Sequence, residues 1–135
     1  MGRGVNTEYV LKIVDRLNGQ IVAILGNHDL PNKYSVGLKK MLSESSNKWT
    51  ILDNSIHEIQ HDGLNFVLCH YPMADWNGKF YGTVHLHGHT HTPFSKPALH
   101  NSKQSRRYDI GVDMYGGPVE VTGDLRFLND PKGWN

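Results

Sequence analysis

The chain has little cysteine, little net charge and no long apolar run, and each shortage removes a class of protein. One cysteine, Cys69, among 135 residues excludes an internal disulfide and suits a reducing compartment. The formal net charge of +1 provides no global field that recruits nucleic acid or an anionic membrane. The sequence has no apolar stretch long enough to span a bilayer and no signal-peptide pattern. We therefore expect a soluble, cytoplasmic protein with no membrane partner.

Apart from its histidines, the composition is that of an ordinary globular domain. Hydrophobic residues make up 38% and charged residues 20% of the chain, and 135 residues suffice for a hydrophobic core. We therefore expect a single domain over residues 1–135. Nine histidines are many for this length, and several of them cluster at residues 85–91. This enrichment favours a metal site, although exposed histidines are common in proteins.

Local patterns predict an α/β fold. Apolar residues with helical spacing predict a helix that begins at Asn6 or Thr7 and reaches about residue 18, with Gly19 as its left-handed stop. A second helix is predicted over residues 34–43. Strands are predicted at residues 20–25, 49–52, 55–60, 64–69, 83–87, 108–112 and 119–121, the third and fourth forming a hairpin around an Asp-Gly turn. The first strand is nearly all apolar, so we expect burial on both its faces.

Polar side chains that suit metal ions directly follow three of these strands. Asn27 lies in the segment GNHD at residues 26–29, His70 in CHYP at residues 69–72, and His89 and His91 in GHTH at residues 88–91. One amide oxygen and three imidazoles suit manganese, iron, zinc or nickel. Because open α/β sheets bind ligands at the carboxyl ends of their strands, we expect these side chains to converge. Taken singly, each could instead be a capping or surface residue.

These motifs, in this order and spacing, resemble the calcineurin-like metallophosphoesterase superfamily, in particular its small bacterial and phage members. The segments HYPMADW and LHGHTH, and residues 109–113 with Pro118 beyond, add to a resemblance that covers nearly the whole chain. It implies a sandwich of two sheets flanked by helices. It also implies two divalent metal ions about 3.5–4 Å apart, with manganese the first choice, and hydrolysis of phosphomonoesters or phosphodiesters by a water nucleophile.

The resemblance also assigns roles to individual residues. The second metal ion would be bound by Asn27, His70 and His89, and the first by His91. His28 would contact the phosphoryl group and protonate the leaving oxygen, while Asp29 would orient the His28 ring. The substrate would be a phosphoester such as a nucleotide or a nucleic-acid end.

Before Gly26 the chain departs from the family pattern. Family members carry Asp-x-His and Gly-Asp motifs there, whereas the 25 residues here contain no histidine and a single aspartate, Asp15, on the predicted helix. We therefore expect an N-terminally truncated domain that keeps the C-terminal portion of the fold. The alternative to an enzyme is a non-catalytic metal-binding module that needs a second copy of itself or a separate N-terminal fragment. Asp75 and Asp113 could replace the missing carboxylate, but their spacing does not favour this.

Other residues near the motifs are expected to have mainly structural roles. We interpret His85 as a packing or surface residue and His87 as a residue able to orient a ligand imidazole. Cys69 is expected to be a small buried apolar side chain. The polar stretch at residues 92–107, with its basic end, is expected to be a solvated loop or a phosphate-binding lip.

Overall fold

The computed structural model describes residues 7–29, 49–52, 54–91 and 106–121. It divides the chain into two compact units, Met1–Ser55 and Ile56–Asn135. The described residues combine two small β-sheets with short helices, a mixed α/β arrangement in agreement with the predicted class. Within them, no helix has the length and apolar character needed to cross a membrane. That the two units belong to one domain stays a prediction.

The described part of the first unit contains one helix and a two-stranded parallel sheet. Helix α1 (Thr7–Arg16) precedes strand β1 (Ile21–Ile24), which pairs in parallel with β2 (Trp49–Leu52). Gly19 has a φ of 84°, which confirms the predicted left-handed turn between helix and strand. All three elements lie where the sequence predicted them, while the predicted helix at residues 34–43 lies outside the described residues.

The prediction that β1 is buried on both faces is wrong. Its side chains are half-buried, and that of Val22 is 61% exposed. β1 pairs with β2 along one edge, but strand pairing does not cover the faces of a sheet. Burial of a strand on both faces requires helices packed on each side. An apolar run therefore located the strand correctly but overstated its burial.

The second unit is built on a four-stranded sheet in the order β3-β4-β5-β6. Its strands are β3 (Ile56–His61), β4 (Leu64–Cys69), β5 (Val84–His87) and β6 (Arg107–Asp109). The first two form the predicted antiparallel hairpin, and its turn residues Asp62 and Gly63 have φ values of 49° and 76°, as a type I′ turn requires. Strands β4, β5 and β6 run parallel, so their carboxyl ends share one edge of the sheet.

The core of this unit packs around β5, all four residues of which are buried. Its apolar cluster consists of Phe66, Val84, Leu86, Tyr108, Met114 and Tyr115. The last two belong to helix α2 (Val112–Tyr115), a single turn that the core thereby anchors. Cys69 is buried, as predicted.

Of the two strands predicted in the C-terminal part of the unit, the first is present with different bounds and the second is not formed. The predicted strand at residues 108–112 is β6, which begins at Arg107 and ends before α2. Residues 119–121 do not form a strand, although Val119 and Val121 pack against the core cluster. Two apolar residues separated by a polar one can pack against the core whether or not they pair with a strand. This three-residue pattern is therefore too short to predict a strand. Most of the predicted lip, residues 92–105, lies outside the described residues.

We expect a side chain to be tolerated much less well at Gly78 than at Gly63. The two have nearly the same left-handed φ, 74° and 76°, so the backbone penalty for alanine is shared. A Cβ on Gly78 would collide with the side chain of Thr83, whereas one on Gly63 meets open space. Gly63→Ala should lower the free energy of unfolding by about 1–2 kcal/mol, and Gly78→Ala by roughly 1–3 kcal/mol more. Equal losses in urea denaturation would contradict the close approach of Gly78 to Thr83.

Candidate metal-binding site

Two of the predicted ligand histidines meet at the carboxyl edge of the second unit's sheet. His70 follows β4 and His89 follows shortly after β5, its parallel neighbour. Nδ1 of His89 lies 3.2 Å from Nε2 of His70. Gly88 N–H donates to the His70 carbonyl at 3.1 Å, which ties the two segments together through the backbone. Parallel pairing thus brings together residues that are far apart in the sequence.

The separation of the two ring nitrogens suits a shared metal ion. Nitrogens that each lie about 2.0–2.1 Å from one ion, at octahedral or tetrahedral angles, are about 3–3.4 Å from one another. The distance of 3.2 Å also permits a hydrogen bond in which one ring donates to the other. Tyr71 packs edge-on against both rings, with centroid distances of 4.9 Å to His70 and 4.7 Å to His89. The pair is therefore a candidate half-site with one aromatic wall.

The turn that carries His89 and His91 is strained. Their φ values are 68° and 48°, in the left-handed region that side chains with a Cβ rarely adopt. Thr90 N–H donates to the Gly88 carbonyl at 2.8 Å, which closes a three-residue turn around His89. A γ-turn with positive φ is rare, and each such residue costs of order 1–3 kcal/mol. Strain of this kind concentrates at functional sites, so both histidines are candidates on this ground as well.

A buried carboxylate holds this turn. Asp109, at the end of β6, is 1% exposed. Its Oδ2 accepts a hydrogen bond from Thr90 Oγ1 at 2.6 Å, and its Oδ1 accepts one from Gly111 N–H at 2.8 Å. A carboxylate removed from water requires such donors, because losing its hydration is costly. Asp109 thus fastens the turn after β5 to the segment after β6, a function that the sequence did not reveal.

His91 meets a carboxylate that the sequence did not favour. Its Nδ1 lies 2.6 Å from Oδ2 of Asp113, which is in the single turn of α2. The two side chains are 77% and 50% exposed. The sequence did not predict this contact, because His91 and Asp113 are brought together by the parallel pairing of β5 with β6.

Behind the candidate ligands lies His85, a fully buried histidine. Its Nδ1 donates to the Val67 carbonyl at 3.0 Å, and its Nε2 accepts from Met73 N–H at 3.0 Å. Since a carbonyl can only accept and an N–H can only donate, the ring is the neutral Nδ1–H tautomer. Burial lowers the pKa of His85, although its backbone hydrogen bonds oppose the shift. The packing interpretation is confirmed, and the ring also fixes the loop that follows His70.

His87 lies on the same face of β5, with its ring centroid 5.4 Å from that of His85. Its Nδ1 donates to the Gly88 carbonyl at 2.9 Å, so the ring contacts the backbone of the ligand turn rather than a ligand imidazole. Burial lowers the pKa of His87, although the bond to Gly88 and the nearby Asp109 carboxylate oppose the shift. Both histidines therefore favour their neutral forms.

The remaining predicted site residues lie in the first unit, in the turn after β1. The Oδ2 atom of Asp29 accepts from Gly26 N–H at 2.7 Å, and Asp29 N–H donates to the Gly26 carbonyl at 3.2 Å. The carboxylate therefore closes the GNHD turn, and its orientation of the His28 ring stays a prediction. Asn27 and His28 are exposed. A metal site that joins Asn27 to the histidines of the second unit also stays a prediction.

The donors fit a borderline transition ion but do not form a complete site by themselves. Among the described residues, no group of three or more His, Cys, Asp and Glu side chains could hold a metal ion. His70 and His89 supply two imidazole nitrogens, which suit Mn, Fe, Zn or Ni once a further donor is present. Comparisons with models of protein families, with curated proteins and with solved structures give no match.

We expect Thr90→Val to release the ligand turn. The substitution keeps the shape of the side chain but removes the hydroxyl that donates to the buried Asp109 carboxylate. A hydrogen bond to a charged group is worth about 1.5–3 kcal/mol, so the free energy of unfolding should fall by roughly that amount. The Thr90 amide should also exchange with solvent faster. Thr90→Ser, which keeps the hydroxyl, is the matched control, and equal stability of the two variants would show that this bond does not hold the turn.

We expect the protein to lose stability in mild acid, partly through His85. Because the folded pKa of His85 lies below its ordinary value of 6.5, the unfolded chain takes up the proton first as the pH falls. The contribution of His85 to the free energy of unfolding is thus fully present above about pH 6.5. Below that pH it falls by up to about 1.4 kcal/mol per pH unit. His85→Gln should lower stability at every pH but flatten this slope between about pH 7.5 and about pH 5.5.

The slope of the unfolding free energy against pH, measured by urea denaturation, decides this expectation. The absolute stability of His85→Gln is not the readout, since glutamine cannot make both backbone bonds of the ring. His61→Gln, which replaces an exposed histidine of β3, is the control. A slope unchanged by His85→Gln would mean that His85 is not the group that takes up the proton.

Proposed function

We propose that this protein is a metal-dependent phosphoesterase of the calcineurin-like kind, which hydrolyses phosphomonoesters or phosphodiesters. The main support is the approach of His89 Nδ1 to His70 Nε2, at 3.2 Å, beyond the ends of two neighbouring parallel strands. The strained backbone at His89 adds to it, because a pair of surface imidazoles without a function gives no reason to retain such strain. The family's sandwich of two sheets is part of the same proposal.

The proposed site divides its donors between two ions. His70 and His89 would supply imidazole ligands to one ion and His91 a ligand to the other; that the amide oxygen of Asn27 joins the first ion is implied by the family resemblance and stays a prediction. Divalent transition ions bound by these residues, manganese first among them, would supply Lewis acidity toward the phosphoryl oxygens and the attacking water. Substrates of this kind include nucleotides and nucleic-acid ends.

The protein's own residues supply binding rigidity and a proton. The β4–β5 pairing and the Asp109 carboxylate fix the backbone segments that carry the ligand rings, so less entropy remains to be lost on binding. In the first unit, the Asp29 carboxylate closes the turn that presents His28. The imidazole of His28 donates a proton to the departing oxygen, a general-acid role that histidine side chains often take in enzymes.

A second candidate function is a partner-dependent metal-binding module without activity of its own. Exposed apolar side chains in the first unit favour it: Tyr9 is 64% exposed, Leu17 44% and Val22 61%. Apolar surface of this kind is what a second copy or a separate fragment would cover. Here His70 and His89 would still bind an ion, but hydrolysis would require the partner's ligands.

We expect His89→Ala to lose metal and activity together, whereas His28→Ala should keep metal and lose activity. The first removes a ring nitrogen of the shared pair, and the second removes only the proton donor. Removing a general acid should reduce turnover by about 10²–10⁴-fold. Binding is measured by calorimetric titration with Mn²⁺ and Zn²⁺, and activity with p-nitrophenyl phosphate and its bis ester. His61→Ala is the control, and a His89→Ala variant that binds metal as tightly as the parent would refute the ligand assignment.

Metal stoichiometry and particle mass separate the two candidate functions. Elemental analysis after gel filtration gives ions per chain, and light scattering on the same fractions gives the oligomeric state. Two ions per chain with turnover of either ester support the phosphoesterase. One ion per chain without turnover, with hydrolysis appearing only when a partner is bound, supports the partner-dependent module.

A further inference from the structure

The contact between His91 and Asp113 differs from an ordinary exposed ion pair in how it is supported. Most exposed pairs contribute little, because two long side chains must be held in one geometry. Here both side chains are short and both backbones are fixed. His91 follows the turn that Thr90 and Asp109 hold, and Asp113 lies in α2 beside the buried Met114.

One carboxylate sets the distance between the two segments. Asp109 accepts hydrogen bonds from Thr90, one residue before His91, and from Gly111, two residues before Asp113. Met114 N–H donates to the Gly111 carbonyl at 2.9 Å and continues the fixed segment through Asp113. The approach of Oδ2 of Asp113 to Nδ1 of His91, at 2.6 Å, is therefore built into the fold.

This geometry determines which nitrogen of His91 is free. An ionised carboxylate can only accept, so Nδ1 of His91 carries the proton and donates it to Asp113. In the neutral ring, Nε2 then holds the lone pair. A carboxylate that accepts the N–H of a ligand imidazole fixes its tautomer and ring orientation and raises its basicity toward a metal ion.

We propose that Asp113 is a positioning residue that holds His91 as the Nδ1–H tautomer and so presents Nε2 as a metal donor. This inference rests on the proposed function, because it gives His91 an ion to bind. The carboxylate acts through the imidazole and does not itself contact the ion. Nδ1 of His89 faces His70, so in this proposal the two histidines of the GHTH segment bind their ions through different ring nitrogens.

The first test reads the tautomer directly. In ¹⁵N-labelled protein above neutral pH, two-bond ¹H–¹⁵N correlations distinguish the protonated from the bare ring nitrogen, and His91→Gln assigns the signals by their loss. We expect Nδ1–H in the parent chain and in Asp113→Asn, whose amide oxygen still accepts. Asp113→Ala should shift His91 toward the Nε2–H form. A parent ring protonated on Nε2, or an Asp113→Ala ring unchanged from the parent, overturns the proposal.

The second test measures what the tautomer does for metal binding. Asp113→Ala should weaken the binding of the Zn²⁺ or Mn²⁺ ion that His91 coordinates by about 10–100-fold. Asp113→Asn should lose less affinity, because its amide oxygen still accepts the hydrogen bond. Asp75→Ala, which removes another exposed carboxylate of the same unit, is the matched control. A tautomer shift without loss of affinity, in a chain that binds two ions, overturns the metal-positioning role.

The two tests separate this inference from the proposed function. If the parent binds no metal but has the Nδ1–H tautomer, the proposed function fails and so does the role in metal binding, while the carboxylate–imidazole contact stands. If the parent binds two ions and hydrolyses phosphoesters while His91 is protonated on Nε2, the proposed function stands and the inference about Asp113 fails.

Discussion

The buried carboxylate of Asp109 is the interaction on which the second unit's candidate site depends. It is removed from water, and the two hydrogen bonds described above come from different segments, the Thr90 hydroxyl before His91 and the Gly111 amide before α2. Such a group is strongly destabilising if its donors are lost, so it couples the two segments. The strained turn with its histidines and the helix that carries Asp113 are therefore positioned together rather than separately.

The strain in the GHTH turn is supported by the sheet beneath it. Strand β5 lies between β4 and β6 and is buried along its whole length, so its carboxyl end is rigid. Gly88 bonds to the carbonyl of His70, and Ile110 N–H bonds to the carbonyl of His87 at 2.8 Å, which extends the parallel pairing into the ligand segment. A flexible loop would relax a positive φ, whereas a segment fastened on both sides can retain it.

Much of the fold followed from local patterns in the sequence. The Asp62-Gly63 dipeptide between alternating strands specified the hairpin and its turn, because a type I′ turn requires positive φ at both positions. The apolar run before Gly26 located β1 but not its exposure, since burial depends on what packs against a strand. The strand predicted at residues 119–121 is not formed for a related reason: its apolar residues pack against the core without pairing with a strand.

The sequence predicted that His70 and His89 would lie close together, but it did not predict the contacts that hold their segments in place. His70 and His89 stand directly beyond predicted strands, so parallel pairing made their meeting an expected result. The contact of His91 with Asp113 and the hydrogen bond from Thr90 to Asp109 depend on the pairing of β6 with β5. The sequence predicted a strand near β6, but it did not show with which strand β6 pairs. Such side-chain contacts are set by register, and a single sequence carries little information about register between distant segments.

The histidines behind the site suit a centre for cations because they favour the neutral form. His85 makes one donated and one accepted bond to the backbone, which only a neutral ring can do, and burial lowers the pKa of both His85 and His87. A positively charged imidazole beneath the ligand turn would repel a divalent ion, and the repulsion would be stronger in the low-dielectric interior than in water. Two neutral rings instead supply hydrogen bonds to the backbone around the ligands without adding positive charge. The arrangement thus separates rigidity, which comes from buried neutral imidazoles and one buried carboxylate, from the proposed metal binding, which is assigned to the rings of His70, His89 and His91.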